Sequence, residues 1–390
     1  MSNTRILFVT SKSLGGSGKY ISVLCAALKE RGFDLGLCYY ALGGSQDQEI
    51  EAGVHKVYRF PAAPSIFNPL SALKNVGFLL RILKTSQYDI VHTHTSLGGF
   101  IGRVAAALSR RKLKVVHTIH AFGADEFTPN PQRWLYASIE RVLDWGTDAY
   151  ISPSRYIRQF GEKEKILGKG KTQVIYNSLP MSGPPPEVID KVAARLAIRD
   201  TVNIAEGESV LLFCGRLEHQ KGADVLLHAV AQLKTDKAVK LLICGDGTLM
   251  AELRSLCSGL GIDDRVLWLG WQSNLENFYR AADIFVMPSR WESFGLVFLE
   301  AMFYRLPVVS TTAQAIPEVV LDGETGLLSI SEDSLALAAN LKLLLEDSNR
   351  LQAMGSYGQV RASVAFGFDR FVAEHDMMYR RVTGGSALPL

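Results

Sequence analysis

The chain opens on RILFVT at residues 5–10, a short unbroken apolar run of the kind that makes a strand buried on both faces. A glycine-rich stretch, SKSLGGSGKY, follows at residues 11–20. Residues 21–32, ISVLCAALKERG, carry apolar positions at helical spacing and stop at Gly32. Residues 33–40, FDLGLCYY, read as a second strand. Strand, loop, helix and strand in that order predict a doubly wound, parallel α/β unit. YDIVHTHT, LKVVHTIH, DAYISPS and TQVIYN extend the series as strands. Helical stretches separate them, notably SALKNVGFLLRILKTSQ and PQRWLYASIERVLDWG.

At residues 179–187 the pattern breaks into LPMSGPPPE, where three consecutive prolines exclude both a helix interior and a central strand, so a linker is expected over 181–190. The alternation then restarts with SVLLFCGR, VKLLICGDG, RVLWLGW, DIFVMPS, LPVVST and GLLSI, each followed by a helical or loop stretch. Three helical stretches close the chain, the last being DRFVAEHDMMYRRV. The expected fold class is α/β: two Rossmann-like domains facing a cleft, with ligands in the loops at the carboxyl ends of the strands.

Length and composition agree with this division. The 390 residues are 47% hydrophobic and 21% charged, ordinary for globular domains and outside the disordered and collagen-like ranges. No uncharged apolar run is long enough for a membrane span, and the amino-terminal apolar run is too short for a secretory signal. The five cysteines lack CxxC spacing, which points to a reducing cytoplasm and no zinc cage. Charge is uneven: residues 1–190 hold 23 Lys+Arg against 15 Asp+Glu, and residues 191–390 hold 19 against 24. A basic first half favours an anionic partner surface, or reflects solvated surface charge alone.

The loops supply the candidate chemistry. Gly15, Gly16 and Gly18 with Lys19 resemble a phosphate loop. Ser13 and Tyr20 stand where a Walker A motif needs its first glycine and its magnesium-binding hydroxyl. A milder role survives, backbone N–H groups meeting a phosphate at a helix start, beside the alternative of a plain tight turn. His92, His94, His117 and His120 have no carboxylate or cysteine at ligand spacing, which disfavours a metal site. His120, at a strand end, is placed either to meet a substrate hydroxyl or to pack structurally.

In CGRLEHQKG, Arg216 and Lys221 follow a strand and suit a diphosphate. In SRWESFGLVFLE, Glu292 lies in the loop and Glu300 on the following helix, with Phe294, Gly295 and Leu296 at the helix start, where free N–H groups hold phosphate. Glu300 faces apolar surroundings and needs a partner, such as a ribose hydroxyl, while Glu292 also reads as an acid complementing the helix dipole. Gly245, in the strand-end turn GDG, is weak alone.

The ordered set GRLEHQKG, GDG and MPSRWESFGLVFLEAM, with Glu292 and Glu300 eight positions apart, resembles glycosyltransferase family 4, the retaining nucleotide-sugar-dependent enzymes of the GT-B fold. The resemblance spans nearly the whole chain. It implies an acceptor domain over 1–180 joined by the last helix, 368–390, and a donor domain over 191–367. It implies that Arg216 and Lys221 hold the donor pyrophosphate, Glu292 the sugar hydroxyls and Glu300 the ribose. The N–H groups of Phe294, Gly295 and Leu296 would cap the distal phosphate or sugar, and Gly245 would belong to the donor site. Gly16 would let the first loop close on phosphate, His120 would lie beside the transferred sugar, and the base would sit near Trp271 and Gln272. Asn177 also matches a family position. Two departures bear on the substrate: Gln314, Ala315 and Ile316 replace a common Gly-Gly pair, and Ser17-Gly18-Lys19 replaces the usual acid.

No Asp-x-Asp triplet occurs, so the usual metal-bound nucleotide-sugar arrangement has no candidate, and neither metal nor cofactor is expected. The expected partners are a UDP-, GDP- or ADP-linked sugar and a lipid-linked or glycan acceptor of bacterial surface polysaccharide synthesis. Lys74, Arg81 and Lys84 around an apolar stripe, with Arg103, Arg110, Arg111, Lys112 and Lys114, raise peripheral contact with an anionic membrane, against the reading of a core-facing helix with basic flanks. Nucleic acid is not expected, because no basic stripe is interleaved with aromatics. The alternatives are a nucleotide-sugar epimerase, a phosphorylase without its lysine motif, and a non-catalytic nucleotide-sugar-binding protein.

Overall fold

The computed structural model describes residues 4–12, 15–65, 68–122, 130–180, 190–198, 202, 204–205 and 207–384. Ser13, the later part of the loop after His120 and most of the proline-rich linker lie outside the described residues. The chain divides into two compact units, Met1–Pro180 with Phe368–Leu390 (unit 1) and Met181–Gly367 (unit 2).

Unit 1 holds seven strands: β1 (Arg5–Lys12), β2 (Asp34–Tyr40), β3 (Lys56–Arg59), β4 (Ile90–His94), β5 (Lys114–Thr118), β6 (Ala149–Ser152) and β7 (Thr172–Val174). They form one parallel sheet in the order β3-β2-β1-β4-β5-β6-β7, with β1 registered Arg5↔Asp34 on β2 and Ile6↔Ile90 on β4. Its connecting helices are α1 (Gly15–Glu30), α2 (Ser45–Ala52), α3 (Pro69–Thr85), α4 (Ser96–Ser109), α5 (Asn130–Asp144) and α6 (Arg155–Lys163).

Strand alternation explains the two-sided burial. Ile6 and Phe8 point into one core with Ile21, Leu24 and Leu28 of α1, while Leu7 and Val9 point into the other with Leu79 and Leu83 of α3 and Ile101 and Ala105 of α4. Both faces of a parallel sheet are therefore covered, which is why its strands read as continuous apolar runs.

Unit 2 repeats the scheme with β8 (Ser209–Cys214), β9 (Val239–Cys244), β10 (Val266–Gly270), β11 (Ile284–Val286), β12 (Val308–Thr311) and β13 (Gly326–Ser329) in the order β10-β9-β8-β11-β12-β13, all parallel. Its helices are α7 (Lys191–Ala197), α8 (Ala223–Gln232), α9 (Met250–Gly259), α10 (Glu276–Ala281), α11 (Leu296–Phe303), α12 (Ile316–Val319), α13 (Ser334–Glu346) and α14 (Ser348–Ala365). The final helix, α15 (Phe368–Thr383), belongs to unit 1, where Phe371, Val372, Met378 and Tyr379 enter the α1-side core.

Three details differ from the sequence reading. The helix α1 begins at Gly15, so the glycines form its first turn instead of a preceding loop. The edge strand β3, KVYR, has no apolar run to announce it, and α2 is mostly polar. Most of the apolar stripe of α3 is core, with Val76, Leu79, Ile82 and Leu83 buried, while Leu70 and Leu73 in its first turns are exposed. Lys74, Arg81 and Lys84 are exposed on its other side.

Candidate active site

In each sheet the order reverses once, between β1 and β4 in unit 1 and between β8 and β11 in unit 2. Adjacent crossovers leave in opposite directions there and open a crevice at the strands' carboxyl ends. In unit 2 the loops flanking that point are Gly215–Gly222 and Met287–Gly295, the two segments singled out by their charged residues.

The first loop is fixed by its backbone. Gly215 N–H donates to Cys244 O at 3.0 Å, and Leu217 N–H donates to Asp246 O at 2.9 Å. A 3-10 turn, His219–Lys221, then hands over to α8 through Gly222, whose φ of 65° lies in the left-handed region. A Cβ on Gly222 would stand 2.2 Å from Pro288 O, so only glycine lets the two loops approach this closely. Lys221 is thereby brought against the buried Glu292: its Nζ donates to Oε1, and Ser289 Oγ donates to the same oxygen at 3.1 Å. Arg216 is exposed on the same loop.

Arg290, a residue the sequence reading passed over, ties these pieces together. Its guanidinium is buried and bonds the His219 carbonyl, Asp224 and Glu332. Burial opposes the charge, but the two carboxylates outweigh it and the pKa is raised. Nothing in the sequence marks Arg290, because its partners lie 42 to 71 positions away.

The start of α11 has no side-chain cap. Gly295 is its N-cap at φ 87°, and the helix's first N–H groups point out of the turn. Phe294 is buried against Phe366 at 5.5 Å between ring centroids, so it contributes backbone to this turn. Glu300, one turn further, accepts from Tyr279 Oη at 2.8 Å; burial first, then this carboxylate, push the Tyr279 pKa well up. Glu292 is not a cap of α11, since the helix starts four residues later; its charge is answered by Lys221. Gly245 packs so that a Cβ would lie 1.9 Å from Gly215 O. Trp271 is exposed after β10, and Gln272 Nε2 donates to Leu269 O at 2.6 Å.

At the switch point of unit 1, α1 starts after β1, and a Cβ at Gly16 would meet no described atom within 4 Å. His120, half-buried after β5, has its Nε2 3.1 Å from His94 Nδ1, and burial lowers its pKa to about 4. The histidines are neutral and bonded to neighbours instead of converging on an ion. His92 meets Tyr379 Oη at 2.8 Å and Thr118 Oγ1 at 2.7 Å. His375 Nδ1 donates to Phe371 O at 2.7 Å, so its Nε2 accepts from Tyr20 Oη at 2.6 Å. His117 Nδ1 lies 2.8 Å from Thr93 Oγ1. Among the described residues, no group of three or more His, Cys, Asp or Glu side chains could hold a metal ion.

Two family models cover the units in turn: "Glycosyltransferase Family 4" matches residues 14–181, and "Glycosyl transferases group 1" matches 194–361. A D-inositol 3-phosphate glycosyltransferase of Xylanimonas cellulosilytica is 30% identical over 396 residues, 95% of this chain and 92% of the relative. The chain belongs to the family 4 glycosyltransferases. Another relative, the Escherichia coli UDP-Gal:alpha-D-GlcNAc-diphosphoundecaprenol alpha-1,3-galactosyltransferase, is 29% identical over 63% of this chain and 64% of its own length. Among solved structures, Anabaena HepE in complex with UDP-glucose superposes with a TM-score of 0.80 at 21% identity, covering 97% of this chain and all of that one. That likeness shows the fold, and the two parallel α/β units are those of GT-B glycosyltransferases, as the sequence resemblance implied. This glycosyltransferase has, among its described residues, no helix long and apolar enough to cross a membrane.

Proposed function

We propose that the chain is a retaining, metal-independent hexosyltransferase that moves a sugar from a nucleotide diphosphate to a hydroxyl of a lipid-linked or glycan acceptor in bacterial surface polysaccharide synthesis. The observation that carries the reading is the pairing of Lys221 with Glu292 at the unit 2 switch point, with exposed Arg216 on the same loop. An ammonium has three donors and Glu292 takes one, leaving two for phosphate oxygens. Arg216, Lys221 and the uncapped start of α11 supply the positive potential that a departing diphosphate requires, the work a metal does elsewhere. Glu292 would fix the sugar hydroxyls, Glu300 the ribose, and Trp271 and Gln272 would border the base. In unit 1, Gly16 leaves room for a phosphate and neutral His120 would meet a sugar hydroxyl.

No pair of carboxylates stands out as nucleophile and acid, so a front-face displacement fits best. The acceptor oxygen bonds to the anomeric carbon as the bond to the diphosphate oxygen breaks on the same face, and the acceptor proton passes to that leaving oxygen. UDP is favoured as the carrier, because one relative is named for UDP-Gal and a structural neighbour holds UDP-glucose.

Peripheral membrane contact belongs to the same reading and is supported by unit 1. Trp134, Leu135, Val142 and Trp145, the last 91% exposed, stripe the outside of α5 and its end. Exposed Lys163, Lys165 and Lys169 follow on the segment that Arg141 ties to α5 through the carbonyls of Glu164 and Lys165. Tryptophan with lysine is the composition of an anionic lipid interface.

The deciding experiment is a melting-temperature panel with UDP, GDP and ADP in EDTA. One nucleotide is expected to stabilise the protein, by about 2.7 kcal/mol at a hundred times its Kd, and Arg216→Ala to abolish the effect. No stabilisation by any of the three refutes the donor site. Proton NMR of the product's anomeric signal then tests retention.

A further inference from the structure

We infer that Arg290 is a positioning residue of the donor site, the brace that holds Lys221 and Glu292 at their working separation. This rests on the reading that these two groups serve the donor. Lys221 and Glu292 sit on segments 71 positions apart, and both side chains end in a single pair. Something must set the distance between their backbones, and the guanidinium does so with every donor it has. Nε donates to Glu332 Oε1, Nη1 to His219 O at 2.7 Å and to Asp224 Oδ1 at 2.9 Å, and Nη2 to Asp224 Oδ2 at 2.7 Å and Glu332 Oε2 at 2.9 Å. Five N–H groups thus meet five acceptors in the fixed planar fork of arginine.

Each acceptor lies at a different part of the frame. His219 opens the turn that carries Lys221, Asp224 sits in the first turn of α8 just beyond it, and Glu332 follows β13 at a left-handed φ of 70°. The main chain repeats the link: Arg290 N–H donates to Gln220 O at 2.8 Å, and Gln220 Nε2 returns to Trp291 O at 2.9 Å. Two residues on, Glu292 receives Lys221. Asp224 and Glu332 are partly solvated, so the cluster tolerates exchange of one member without exposing a core.

Lysine at 290 keeps the charge but cannot fill the fork. The probe is UDP, titrated calorimetrically into the full chain. Arg290→Lys is expected to weaken UDP at least about tenfold, because misplaced binding groups lose affinity and rate steeply. Asp224→Asn and Glu332→Gln should each weaken it less, and in a Lys221→Met background Arg290→Lys should have no further effect. A merely structural arginine would lower the melting temperature while leaving UDP affinity intact and additive with Lys221→Met; that result overturns the inference and leaves the donor-site reading standing. A second readout needs no nucleotide: the acetylation rate of Lys221 by a small anhydride, followed by mass spectrometry. It should rise severalfold in Arg290→Lys, and an unchanged rate also overturns the inference. Failure of the parent protein to bind UDP, GDP or ADP would count against the donor reading, and the acetylation rate would still decide the brace.

Discussion

Unit 1 should be unusually sensitive to mild acid, and histidine is the reason. His92, His94, His117 and His375 are buried and His120 is half-buried. Burial lowers the pKa of His120 and His375 to about 4, and holds His92, His94 and His117 well below the ordinary value. Each is neutral when folded and takes up a proton near pH 6.5 once unfolded. The stabilisation is therefore complete above 6.5 and is lost as the pH falls toward 4. Between pH 7 and 5.5 His120 and His375 each cost about 1.2 kcal/mol, about 2.4 kcal/mol together, and His92, His94 and His117 add to the loss in the same direction. Denaturant titrations at several pH values, read by hydrogen exchange and mass spectrometry to separate the units, measure this directly. Unit 1 should lose at least about 2 kcal/mol of stability by pH 5.5, and His375→Gln should flatten the slope by about one proton. A free energy for unit 1 that stays level from pH 7 to 5.5 would refute the assignment of these rings as buried and neutral.

Three further outcomes are expected. Gly222→Ala should destabilise unit 2 by at least about 1–2 kcal/mol in denaturant melts, since alanine pays for the left-handed backbone and meets Pro288 O as well. Tyr279→Phe removes one donor from Glu300 and should cost about 1.5–3 kcal/mol by the same assay, with no change in the stability of unit 1. Glu292→Ala should abolish sugar transfer while UDP still binds, as measured by calorimetry beside product analysis; loss of UDP binding alone would count against a role in transfer.

The strands of both sheets were legible because a parallel sheet covered on two faces leaves unbroken apolar runs such as RILFVT and SVLLFC. The edge strand β3 was not, since KVYR buries no continuous stripe. For the candidate site, the family motifs singled out Arg216, Lys221, Glu292 and Glu300, and sheet order explains why two of the loops carrying them meet: they flank the β8–β11 reversal. The direct pairing of Lys221 with Glu292 was hidden, because spacing of 71 residues carries no periodic signal. Arg290 was hidden for the same reason, and a buried arginine cannot be told from a solvated one in a single sequence. The stripe of α3 shows the converse: one helical pattern serves core and membrane equally, and only the packing against β1 and α4 decides between them.

The place of α15 has a consequence for how the protein is made. Tyr20 and His92 take partners from His375 and Tyr379, across 355 and 287 positions of chain. On the ribosome, the first 180 residues emerge long before those partners exist. Until translation is nearly finished, the α1 face of the sheet lacks Phe371 and Tyr379, and the buried Tyr20 and His92 rings each lack one bond. Unit 2, continuous in sequence, can close first. The nascent amino-terminal half must therefore wait with an open apolar face, and it is during this interval that a chaperone has something to hold.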